Sequence, residues 1–241
     1  MKRNPKQADS NLFDCIPQTG PCLMGCAECF YNRPGAFYTP IDVPLVPDPA
    51  EVGDGIVRMN CGHDSNLEKE LVLKTAEQFK HVFYNTSLPN FDFPGPVVWT
   101  ANREEEKPVV IPPDLWTGIP KNLMFVRLRT SSTNLEHVEK ATKWFTQMSV
   151  PVVLTFMAYY SKEPEVPADI QAAVNGPCYE WRVRHINSYW CPTPSFLRYV
   201  LKRFERYRLA SYCGSLEGSY CRLCRNCETY YLQTAKRLRG E

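Results

Sequence analysis

At 241 residues, with 44% hydrophobic and 22% charged side chains, the chain has the composition of a globular protein long enough to bury a substantial core. No apolar run approaches the roughly 18 residues of a membrane span, and the basic start "MKRNPKQADSN" leads into neither an apolar stretch nor a small-residue cleavage site. A net charge of +2 is too small to argue for nucleic acid or an anionic membrane as a partner, so the late basic residues Lys202, Arg203, Arg206, Arg208, Lys236, Arg237 and Arg239 read as solvated helix faces before they read as a phosphate site.

In chain order, "NLFDCIP" (11–17) reads as a short strand leading into a cysteine-rich loop. Between Pro34 and Asp54, prolines and glycines are too frequent for regular structure beyond a turn at "DPAEV". "GIVRMN" (55–60) reads as a buried strand ending at "CGHDSN", where Ser65 and Glu68 have capping-box spacing. The helix expected there runs to about Lys80, with Leu67, Leu71, Thr75, Ala76 and Phe79 on one face. Strands are expected at "PVVWTAN" (96–102), "NLMFVRLRT" (122–130), "VPVVLTFMAYY" (150–160) and "EWRVRHIN" (180–187). Thr133 and Glu136 suggest a second capping box, opening a helix that buries Leu135, Val138, Ala141, Phe145 and Met148. Thr193 caps and Pro194 opens a helix burying Leu197, Val200, Leu201 and Phe204. A last helix is expected at about 228–238.

Strands with continuous apolar runs, each followed by a helix, point to an α/β fold with a parallel sheet. Five or six strands suit an open or incomplete (β/α) barrel, or a doubly wound sheet, better than a closed barrel of eight.

Eleven cysteines carry the chemistry. With no signal sequence the expected compartment is the cytoplasm, where thiols stay reduced and close spacing points to metal rather than disulfides. Cys22, Cys26 and Cys29 are set at C-x3-C-x2-C, with Cys15 nearby. Four-thiolate zinc usually takes two close pairs, and the prolines and glycine between Cys15 and Cys22 leave no second knuckle. Three thiolates on an iron–sulfur cube would instead leave one iron open. Late in the chain, "YCGSLEGSYCRLCRNC" (212–227) sets Cys213, Cys221, Cys224 and Cys227 at C-x7-C-x2-C-x2-C. That run is closer to ferredoxin-type ligation than to a zinc knuckle. Arg222 and Arg225 lie inside it, where they would offset an anionic cube. Cys61, Cys178 and Cys191 read as buried small residues. His81, His137 and His185 stand alone as structural or surface groups, and Tyr159 and Tyr160 read first as aromatic core.

The C-x3-C-x2-C loop after a first strand, followed by βα units, resembles the radical S-adenosylmethionine (radical SAM) superfamily, over roughly residues 15–190. The resemblance implies a partial (β/α)6-type barrel over 1–208 and a cluster-binding segment over 209–241. It implies a 4Fe-4S cluster on Cys22, Cys26 and Cys29 whose fourth iron is chelated by S-adenosylmethionine, and reductive cleavage to a 5′-deoxyadenosyl radical that abstracts hydrogen from a substrate. A second, auxiliary 4Fe-4S cluster on Cys213, Cys221, Cys224 and Cys227 is a common accompaniment. Gly62, His63 and Asp64 occupy the place of a Gly-Gly-Glu-Pro-like turn, Asn102 that of a strand-3 turn, and Arg127 and Arg129 that of polar groups facing the cofactor. Each also has a plainer reading, as turn, cap or solvated strand edge. Glu28 stands where the family has an aromatic, and no first helix follows the loop. Implied partners are an electron donor such as flavodoxin or ferredoxin and a peptide, nucleoside or RNA substrate, with no membrane. The competing readings are a non-enzymatic module with two four-cysteine zinc sites, for nucleic acid, and a two-cluster electron carrier; the central βα pattern exceeds the needs of either.

Overall fold

The computed structural model describes residues 4–26, 28–32, 41–160, 168–183, 188–218 and 220–241, with backbone only for 168–170. Its elements are β1 (Leu12–Cys15), α1 (Pro49–Val52), β2 (Ile56–Met59), α2 (Lys69–Ala76), β3 (His81–Thr86), β4 (Val97–Thr100), α3 (Pro113–Thr117), β5 (Leu123–Thr130), α4 (Leu135–Gln147) and β6 (Val152–Phe156). Then come α5 (Ala168–Val174), β7 (Tyr179–Arg182), β8 (Tyr189–Pro192), α6 (Pro194–Phe204), β9 (Ala210–Tyr212), α7 (Cys221–Cys224) and α8 (Asn226–Arg239).

Seven strands form one parallel sheet in the order β1-β2-β3-β4-β5-β6-β9, curled into a half-barrel, while β7 and β8 make a separate antiparallel pair. Spatial order follows chain order. Right-handed crossovers then all pass over one face, and the two larger clusters lie there. Val72 and Ala76 of α2 pack on Val57, Met59 and Tyr84. Val138 and Phe145 of α4, with Phe196 and Val200 of α6, pack on Val126, Leu128, Val152 and Leu154. On the concave face Leu12, Ile56, Phe83, Val98, Phe125 and Val153 gather around Tyr231 of α8. Because side chains alternate along a strand, the residues two positions further on (Asp14, Arg58, Asn85, Thr100, Arg127, Thr155) share that face. The barrel interior is thus apolar toward the N-terminal ends of the strands and polar toward the C-terminal ends.

The strand assignments differ from expectation at three places. β3 occupies 81–86, just past the end expected for the helix and where no strand was expected, and β9, beyond residue 208, is a strand of the main sheet. The expected strand at 180–187 is the hairpin strand β7, its last four residues lying outside the described set. The capping boxes do not form. α2 starts at Lys69 behind a left-handed Glu68 with no side-chain cap, since the Ser65 hydroxyl accepts from Asn60 Nδ2 (3.2 Å) and its N–H bonds Asn85 O (3.0 Å). α2 buries Val72 in place of the expected Leu71, which is exposed. At α4 the Thr133 hydroxyl donates to Glu106 and Asn134 takes the N-cap position ahead of Leu135 with no side-chain cap bond, while Met148 is left exposed. Thr193 does cap α6, accepting from Phe196 N (3.3 Å), with Pro194 at its first turn.

Candidate metal and cofactor site

The N-terminal cysteine loop is built on a small apolar cluster of Ile16, Cys22 and Tyr31. After β1 the chain bonds to the 41–45 segment through reciprocal Ile16–Leu45 backbone hydrogen bonds and Gly20 N to Ile41 O. Asn32 closes the loop on Cys22, accepting from its N–H (3.3 Å) and donating to its carbonyl (3.1 Å). Tyr31 is fully buried beneath and donates its hydroxyl to Gly20 O (3.2 Å). Gly25 and Glu28 both take positive φ, 61° and 48°, which turns the chain back on itself between the cysteines. The three thiols come within electrostatic reach of one another. Burial pushes Cys22 up to about 11, with Cys29, Asp64 and Cys26 adding to it. Burial also raises Cys26, opposed by Ser87 Oγ at 3.7 Å and by the Arg129 charge.

The loop lies against the C-terminal ends of β2 to β5, where open α/β folds place their sites. Gly62 is packed against the loop: a Cβ there would lie 2.6 Å from Tyr31 Cδ2 and 3.0 Å from Ile16 Cδ1. His63 stands edge-on to Tyr31, ring centroids 5.8 Å apart. Its Nδ1 is buried with no hydrogen-bond partner among the described residues, and burial lowers its pKa. Asp64 is 3% exposed and ties β2 to β3: it accepts from Ser87 N (2.6 Å), Ser87 Oγ (2.8 Å), Thr86 Oγ1 (2.9 Å) and Asn66 N (2.9 Å).

Asn102 and Arg129 act together. The Asn102 amide accepts from Arg129 N (2.8 Å) and donates to Arg129 O (2.7 Å), extending the β4–β5 ladder by one side chain. It therefore positions Arg129 instead of presenting its amide to a ligand. The Arg129 guanidinium donates to Arg103 O (2.7 Å) and Met157 Sδ (3.2 Å), with Glu105 Oε2 at 3.7 Å. Glu105 is itself buried, its pKa raised by desolvation, and Tyr159 donates to its Oε1 (2.5 Å). This Glu105–Tyr159 support has no motif in the sequence.

The four late cysteines converge below, on the concave face. Cys213 and Cys224 hydrogen bond through their side chains, and that bond, with backbone N–H donors, draws Cys224 down to about 5. Cys221 and Cys227 interact with each other and with Cys224. Arg127 belongs here and not with Arg129: it donates to Asn85 Oδ1 (3.2 Å) and its charge is felt by Cys213 and Cys227. Arg58, which drew no notice in the sequence, lies beside Cys221 and Cys227 and bonds Asp14 Oδ1 (2.7 Å). Arg222 and Arg225, expected to balance the loop's charge, are ion-paired outward with Asp9 (2.8 Å) and Glu228 (3.2 Å). Cys61 lies between the two groups, packed beside the Cys22–Tyr31 cluster and within reach of Arg58 and Arg127.

Among the described residues no three His, Cys, Asp or Glu side chains are set as ligands for a single metal ion. A mononuclear thiolate site with Zn–S bonds of about 2.3 Å requires sulfurs about 3.8 Å apart, whereas a cube spreads its thiolates over separate irons. The donor sets, three converging thiols in one loop and four in the other with two guanidiniums beside them, fit cluster ligation on chemistry. No protein-family model matches the chain, and neither does any curated protein or solved structure.

Proposed function

We propose that the chain is a radical S-adenosylmethionine enzyme. The observation that carries this reading is the convergence of Cys22, Cys26 and Cys29 in one loop at the C-terminal mouth of a parallel half-barrel. Those cysteines would hold a 4Fe-4S cluster with S-adenosylmethionine on its fourth iron, and Cys213, Cys221, Cys224 and Cys227 a second cluster. The chemistry such a cluster would supply when bound is one-electron reductive cleavage of S-adenosylmethionine, leading to hydrogen abstraction from a substrate.

The chain's own residues build the mouth. Tyr31 and Asn32 hold the loop's backbone. Asp64 fixes Ser87 against Cys26. Asn102, Glu105 and Tyr159 hold Arg129 near Cys26 as the local positive charge, where an anionic cluster or a carboxylate would be stabilised.

The test is anaerobic iron and sulfide analysis with an absorption spectrum, on wild type and on a Cys22/Cys26/Cys29→Ala variant. About eight irons per chain, falling to about four in the variant, is the expected result. Wild type incubated with S-adenosylmethionine and a reductant should yield 5′-deoxyadenosine, and the variant none. A colourless protein with stoichiometric zinc would sink the proposal in favour of the zinc module.

A further inference from the structure

A cube held by four thiolates is anionic, and its reduction potential depends on the net charge, hydrogen bonds and solvent around it. Cys221 and Cys227 pack against the concave-face cluster that contains Ile56 and Phe125, and the guanidiniums next along those two strands come from the sheet and not from the cysteine loop: Arg58 from β2 and Arg127 from β5, both on the concave face. Their charges are differently balanced. Arg58 is 16% exposed and bonds Asp14, whose carboxylate also accepts from Gln7 Nε2 (2.7 Å) and Asn4 Nδ2 (3.3 Å). Arg127 donates to the neutral amide of Asn85, and among the described residues no carboxylate pairs with it.

We propose, on the reading that Cys213, Cys221, Cys224 and Cys227 hold a cluster, that Arg58 and Arg127 set its reduction potential from outside its binding loop, with Asp14 as the opposing charge. Reduction adds an electron, so a nearby positive charge away from water favours the reduced form and raises the potential. Arg127 contributes more than Arg58, whose charge Asp14 largely cancels.

The experiment uses the full chain carrying Cys22/Cys26/Cys29→Ala, so that only the C-terminal site remains. Iron content is measured, and the midpoint potential is read by an anaerobic redox titration followed by electron paramagnetic resonance. Arg127→Met should lower the midpoint, Arg58→Met should lower it less, and Asp14→Asn should raise it, each with about four irons per chain retained. Opposite signs for Arg58→Met and Asp14→Asn separate charge from general disruption, because breaking the same ion pair from either side would disturb packing alike. An unmoved midpoint, or shifts of one sign throughout, overturns the proposal while leaving the cluster reading intact. If a methionine variant loses iron, Arg58→Lys and Arg127→Lys decide: iron restored by lysine supports a role for charge, and iron lost with lysine too overturns it. A parent protein without iron overturns the cluster reading, and this proposal with it.

Discussion

Gly62 shows how tightly the cysteine loop is seated on the barrel. A methyl group there would lie 2.6 Å from a ring carbon of Tyr31, which is fully buried and hydrogen bonded to Gly20 O, so neither side has room to yield. Gly62→Ala should destabilise the protein by about 1–3 kcal/mol, as overpacking of a filled core does. If Cys22, Cys26 and Cys29 hold the proposed cluster, it should also weaken iron retention there. Thermal melts and iron analysis check this, and adding Tyr31→Leu should recover part of the loss; no recovery would mean that the clash lies elsewhere. At this scale the cysteine spacings were legible because a motif is local. Arg58 and Asp14 were not. The alternation in "IVRM" and "LFDC" puts them on the faces of Ile56 and Leu12, but nothing within a four-residue strand says which face becomes the inside of a barrel. Depth along a strand is equally hidden: Arg127 and Arg129, two apart on β5, share a face, yet their charges reach different cysteine groups.

Between elements, the convex seam of β1, β2, β3 and α2 holds two buried ionisable groups that the proposed chemistry does not use. Burial, helped by Asp14, pushes the Cys15 thiol from 9.0 up to about 12, and burial with Glu77 pushes Tyr84 from 10.0 up to about 12. Both groups are neutral when protonated. As pH rises past about 9 and 10 the unfolded chain releases these protons while the folded chain keeps them, so stability is whole below that range and is lost progressively up to about pH 12. For Tyr84 the loss should be of the order of 2–3 kcal/mol. Urea melts under reducing, anaerobic conditions at several pH values should show this fall, and Tyr84→Phe and Cys15→Ala should each flatten it. An unchanged slope in both variants would rule these groups out as its source. The seam also explains the errors in element assignment. β3, "HVFYNT", follows α2 after four residues, without the glycine or proline that usually punctuates such a junction. The Ser65–Glu68 pair matched a capping pattern locally, while the tertiary structure uses Ser65 to join the β2 loop to Asn60 and Asn85.

For the molecule as a whole, the parallel sheet was legible from apolar strands followed by helices, but its curl and what fills it were not, because a half-barrel is closed by a segment distant in sequence. α8 is that segment. Tyr231 is 6% exposed among Leu12, Ile56, Phe83, Val98, Phe125 and Val153, residues from six strands, and its hydroxyl meets His81 Nδ1 at 3.2 Å. Asn11 bonds Glu228, and the Arg237 guanidinium bonds the carbonyls of Lys121 and Leu123 (2.8 and 2.7 Å), so the helix is tied to the sheet near both of its ends. A last segment folding as an appendage would unfold alone when its contacts were weakened. One that supplies the inner core would take the sheet with it. Tyr231→Ala should therefore lower global stability by about 3–5 kcal/mol, as large-to-small changes at aromatic core positions do. It should do so in a single transition, with far-ultraviolet circular dichroism and tryptophan fluorescence changing together. Tyr231→Phe, which removes only the hydroxyl with its bond to His81, should cost about 0.5–1.5 kcal/mol. Two separated transitions in Tyr231→Ala, the first involving only the helix signal, would mean that the barrel stands without its plug. The polar floor carrying Arg58 and Arg127 would then have to hold its geometry from the sheet alone.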